Sequence, residues 1–208
     1  LNVTLGSVND AAESMITPVL NNIQTVNVRV TGESVSGINF QDAEGMTTLN
    51  VTRITANNSS ITMDDLDATV TNIGVANATT DGSLHLHYRE DVLTATDDTL
   101  DMTLNNLRLV YLDVYEGGDS EEDKGYGFET ANVAVDGVTN LDYFWIDGNF
   151  EEDREQGATQ TINFEVNADL EGLQVPGVRG GLGTVLLSQV RKERPEVSVG
   201  EAVRLPFG

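Results

Sequence analysis

The chain keeps returning to one short phrase. Thr25-Val26-Asn27-Val28-Arg29-Val30 is echoed by Thr48-Leu49-Asn50-Val51-Thr52-Arg53-Ile54, and later by Ser83-Leu84-His85-Leu86-His87-Tyr88, Thr99-Leu100-Asp101-Met102-Thr103-Leu104 and Thr161-Ile162-Asn163-Phe164-Glu165-Val166. Each copy alternates apolar and polar residues, the period of a strand with one buried face. Repetition of one strand unit points to rungs, each covering the apolar face its neighbour cannot bury alone. The expected fold is therefore all-β, either a β-solenoid or a stacked β-sandwich, built from degenerate repeats. Val26 and Leu49 stand 23 positions apart, as do Ile61 and Leu84, whereas Leu84 and Leu100 are separated by 16. The repeat is loose, punctuated by turn formers such as Asp81-Gly82, Asp136-Gly137 and Asp147-Gly148.

Residues 1–190 read as one all-β repeat domain, and 191–208, beginning Arg191-Lys192-Glu193-Arg194-Pro195, as a tail or linker of different composition. The start, Leu1-Asn2-Val3-Thr4-Leu5, already reads as a strand, which suggests a processed chain or a fragment. A short helix is expected within Asn9–Leu20, capped by Asp10 and cut short by Pro18. In the middle, alternation places Leu107, Leu109, Tyr111, Asp113 and Tyr115 on one face of a strand and Arg108, Val110, Leu112 and Val114 on the other. Both faces then carry apolar groups, as in a strand held between two layers.

The hydrophobic fraction is 39% and aromatics are 6%, so the core is aliphatic and suits thin repeated layers. The formal charge of -23 excludes a phosphate-gripping surface, and with it nucleic-acid binding. It also opposes contact with anionic lipid headgroups. No apolar run reaches the roughly 20 residues of a membrane helix. Such a charge favours divalent cations or a saline setting, because self-repulsion strains the compact state. Cysteine is absent, so neither disulfides nor thiolates contribute.

The phrases Ile23-Gln24-Thr25-Val26-Asn27-Val28 and Met46-Thr47-Thr48-Leu49-Asn50-Val51-Thr52 belong to a Thr/Asn/Asp/Val-rich, lysine-poor composition. Over residues 20–165 this cadence resembles the β-solenoid portions of Gram-negative surface-layer proteins and repeat-in-toxin adhesins. The resemblance implies a cell-surface lattice, export without a cleaved leader, and calcium binding. The chain departs from that pattern at Gly180-Gly181-Leu182-Gly183-Thr184-Val185, where valine stands in place of the aspartate of the calcium nonapeptide.

Calcium takes about six to eight oxygen ligands. Asp119, Glu121 and Asp123 alternate on a glycine-flanked loop and are the metal ligands the sequence singles out, with calcium as the ion. The spacing resembles half an EF-hand loop, with glycine one position late and Thr130 where a glutamate would close it. Glu151-Glu152-Asp153, Asp64/Asp65/Asp67 and Asp97/Asp98/Asp101 are further acidic groups that solvated faces also explain. His85 and His87 lie two apart on a strand and so face one way, which suits a transition metal given a third ligand such as Glu90 or Asp91. The alternative is a polar stripe opposite Leu84, Leu86 and Tyr88.

No paired carboxylates stand out for glycoside chemistry, and the aromatic run Tyr143-Phe144-Trp145 is the one candidate sugar shelf. A nucleophile elbow and a phosphate loop are both missing, so no catalytic residue is assigned. The expected function is that of a structural subunit of an extracellular surface layer, filament or adhesin, pairing with its own copies or another surface protein through strand surfaces. The alternative is a secreted carbohydrate-binding or carbohydrate-cleaving β-helix.

Overall fold

The computed structural model describes residues 1–6, 15–31, 37–55, 60–89, 92–95, 97–116, 127–137, 139–146, 161–166 and 184–190. In chain order its strands are β1 (Asn2–Leu5), β2 (Met15–Ile16), β3 (Leu20–Asn21), β4 (Thr25–Val30), β5 (Gly37–Asn39), β6 (Ala43–Glu44), β7 (Thr48–Ile54) and β8 (Ser60–Leu66). There follow β9 (Asn72–Thr79), β10 (Ser83–Tyr88), β11 (Thr99–Glu116), β12 (Thr130–Asp136), β13 (Asn140–Ile146), β14 (Thr161–Val166) and β15 (Thr184–Val190). No helix occurs among the described residues. The helix expected within Asn9–Leu20 is replaced, where it is described, by β2 and β3. Pro18 denies that segment a helical ladder, and the edges of β5 and β6 offer the backbone partners instead.

Every strand pair is parallel. One row runs β1-β4-β7-β9, continues through the first half of β11, and goes on to β12, β14 and β15. A second row runs β2-β5-β8-β10 and through the second half of β11 to β13. The long β11 joins the two rows into one curled 13-stranded sheet, and β3 and β6 form a small sheet of their own. From β4 to β14 the chain thus visits one row, then the other, and returns one strand further along.

Parallel sheets usually carry continuous apolar strands because both faces are covered. These strands alternate instead, because only the inside of the curl is dry. Val26, Leu49, Ile73, Met102, Val133 and Phe164 are buried from the first row, and Ile38, Met63, Leu86, Val114 and Ile146 from the second. Burying each such side chain contributes about 1.5–3 kcal/mol. Tyr88 is the largest fully buried side chain; its hydroxyl donates to the Val70 carbonyl at 2.5 Å and its ring meets Phe128 edge-on.

The two 23-residue intervals are real neighbours: Val26 pairs with Leu49 and Ile61 with Leu84. The 16-residue interval is not. Leu84 pairs with Leu112, and Leu100 with Ala131, because Leu84 and Leu100 sit in different rows. Alternation along β11 also differs from the expected faces. Leu107, Leu109, Leu112 and Val114 all point inward, while Val110 and Tyr111 are consecutive outward residues. The strand passes there from one row to the other, which shifts the phase; one face of β11 is core and the other meets solvent.

A second phase shift falls at Asn105-Asn106, where Asn106 has φ 52°. In the neighbouring strand Asn77 has φ 54°, and the next turn places Gly137, φ 70°, against Asn106. Asparagine and glycine are the residues that tolerate this left-handed conformation, so the corner between rows is written as a column of them.

Candidate functional site

Because the core takes one side of strands such as β4, β7, β10 and β12, function-bearing side chains project from their outer faces. On the first row these are short and polar. Asn27 Nδ2 donates to Asn2 Oδ1 at 2.9 Å, and Asn50 Nδ2 to Asn27 Oδ1 at 2.9 Å. Two residues over, Asn132 Nδ2 donates to Asp101 Oδ1 and Asn163 Nδ2 to Asn132 Oδ1, both at 2.8 Å. Parallel in-register stacking puts like residues above one another, and amides can bond along such a stack while carboxylates repel. At Gly74 the first ladder stops, since a Cβ there would lie 2.4 Å from Asn50 Oδ1. The two ladders flank a shallow groove of about 690 Å³, lined by Asn50, Asn72, Asp101, Asn132, Asn163 and Glu165 among others.

On the second row the outer face is richer in chemistry. His85 is in register with Asp113 on β11, and His87 with Tyr115. His85 Nδ1 and Asp113 Oδ1 are 2.7 Å apart, with both side chains about a quarter exposed. His87 Nδ1 lies 3.5 Å from Asp64 Oδ1 on β8. The His87 ring meets Tyr115 edge-on at 4.4 Å and sits 5.9 Å from the His85 ring. Burial lowers the pKa of His87, against the opposing pull of Asp113 and Asp64. Asn39 Nδ2 donates to Asp65 Oδ2 at 2.5 Å and to Asp64 Oδ2 at 3.5 Å, tying β5 to the edge of the cluster. The His85, His87 and Asp113 ligand atoms all lie within 4.8 Å of one another.

The histidine pair therefore faces one way, with Leu84, Leu86 and Tyr88 buried on the opposite side. Glu90 and Asp91, the expected third ligands, lie outside the described residues. Asp113 stands beside the pair instead. The signal was present: Leu84-His85-Leu86-His87 matches Leu112-Asp113-Val114-Tyr115 in apolar rhythm, at a separation of 28.

Asp119, Glu121 and Asp123 lie outside the described residues, as do Glu151, Glu152 and Asp153. Asp64 and Asp65 share the Asn39 amide, whereas Asp67 accepts from Thr69 and faces Arg89 at 3.4 Å. Asp98 and Asp101 also part. Asp101 joins the groove, while Asp98 sits by Glu129, whose Oε2 accepts the Asp98 backbone N–H at 2.8 Å. Of the aromatic run Tyr143-Phe144-Trp145, Phe144 turns inward against Phe164, and half-buried Trp145 is in register with Asp113 on the second row. Comparison with protein-family models, curated proteins and solved structures finds no match.

Proposed function

We propose that this chain is a β-solenoid acting as a structural subunit of an extracellular assembly, a surface layer, filament or adhesin, joined through strand edges at the ends of its stack. One observation carries the reading. Among the described residues the exposed large apolar side chains are Leu1, Met15, Ile16, Val19 and Tyr111, and all but Tyr111 lie in the first turn of the stack. In that turn β1, β2 and β3 each have a strand on one side only among the described residues. An edge that is both apolar and unpaired is a template for another strand. The cadence shared with surface-layer and repeat-in-toxin proteins supports the same reading, and calcium held by Asp119, Glu121 and Asp123 belongs to it.

Light scattering after size exclusion tests the proposal. The chain is expected to associate as concentration rises, and Ile16→Asp with Val19→Asp to return it to a monomer. A monomer at high concentration, or association indifferent to both substitutions, overturns it.

The groove on the first row favours a second reading, carbohydrate binding, because amides and carboxylates along a shallow trough match sugar hydroxyls. Polysaccharide binding by a monomer, lost on Asp101→Ala, would favour this reading over assembly.

A further inference from the structure

We propose that His85, His87 and Asp113 form a transition-metal site of the zinc class that clips β10 to β11. Two histidines and one carboxylate are the ligand set of many sites that keep a fourth position for water. Imidazole nitrogen selects Zn²⁺, Co²⁺ or Ni²⁺ over Ca²⁺ and Mg²⁺, which want oxygen. The chain has two histidines, and both are in this cluster.

The geometry is near what an ion requires. Tetrahedral zinc with bonds of about 2.0–2.2 Å holds its ligand atoms roughly 3.4 Å apart. Here they lie within 4.8 Å of one another, with His85 Nδ1 and Asp113 Oδ1 at 2.7 Å, so rotations of these outward-facing side chains would bring the set to that spacing. The backbone is fixed on both sides, because β10 is bonded to β8 and β11 at once. Asp64 stands 3.5 Å from His87 Nδ1, placed to accept its N–H and leave Nε2 for the metal. A carboxylate behind a ligating histidine in this way fixes its tautomer and ring orientation. Tyr115 packs on the same ring and limits its swing. The ligands come from adjacent strands, so an ion bound there holds two turns of the stack together and stabilises the folded state alone.

Co²⁺ and Zn²⁺ titrations of metal-free protein at pH 7.5, in excess Ca²⁺, test the site. With two histidines, the imidazole ¹⁵N spectrum reads it directly in the unsubstituted chain. One equivalent of Zn²⁺ is expected to shift both rings, to displace bound Co²⁺, and to raise the melting temperature. His87→Ala and Asp113→Asn are each expected to weaken Zn²⁺ binding by at least about tenfold, and Asp64→Asn by less. Imidazole signals unmoved by stoichiometric Zn²⁺ in that excess of Ca²⁺, or variants that bind as well as the parent, would each overturn the proposal.

Discussion

Asp98 shows how a single side chain can work against the fold that contains it. Its Oδ2 is buried without a hydrogen-bond partner, and burial raises its pKa, reinforced by the charge of Asp97 and opposed by a backbone hydrogen bond from Ala95. Burial raises Glu129 as well, with backbone hydrogen bonds opposing and Asp98 and Asp97 adding to the rise. A carboxyl raised in the folded state holds its proton more tightly there than in the unfolded chain. Its favourable contribution is complete below the ordinary carboxylate range and is lost as pH rises through the raised value. Asp98→Asn is therefore expected to raise the melting temperature at pH 7–8 and to leave it unchanged near pH 3. Thermal melts across that range, read by circular dichroism, check both limbs. At this scale the sequence was partly legible. Alternation told which residues face out, but not that Asp98 would meet Glu129, 31 positions away.

At the scale of elements, the strands were the readable part. The phrases Thr25–Val30, Thr48–Ile54, Ser83–Tyr88 and Thr161–Val166 are β4, β7, β10 and β14 residue for residue. A period of two is a local property of the backbone, so a single strand reveals it. Corners were harder, because what marks them is a column across strands. Asn77, Asn106 and Gly137 gain meaning only when stacked, each holding positive φ at the passage between rows. Asn106→Ala is expected to cost about 1–2 kcal/mol, since alanine lacks the tolerance of asparagine for that conformation. Asn106→Gly should cost less, despite the added freedom of the unfolded chain. Chemical denaturation of the two variants gives the comparison, and equal losses would argue against backbone strain as the cause. The histidine cluster belongs to this scale too. His85 and His87 were visible as an i, i+2 pair, while Asp113 joins them through strand register alone.

The whole chain carries a formal charge of -23, and carboxylates such as Asp101, Asp113 and Glu165 lie on the outer face of its curled sheet. The Debye length falls from about 30 Å in 0.01 M salt to about 3 Å in 1 M. Added NaCl is expected to raise the melting temperature steadily over that interval, because it screens repulsion that the compact state suffers more than the unfolded one. Scanning calorimetry at several salt concentrations reads this, and a flat response would mean that local ion pairs already offset the charge. The sequence by itself determined that the chain is all-β, where β4, β7, β10 and β14 begin and end, and which side of β4, β7 and β10 is dry, because those follow from local alternation. Only the tertiary structure decided that the strands run parallel, that they form two rows joined through β11, and that Leu84 stacks on Leu112 and not on Leu100. Those choices rest on hydrogen bonds and packing between segments some two dozen or more residues apart, and a period-2 pattern reads the same whichever neighbour it meets.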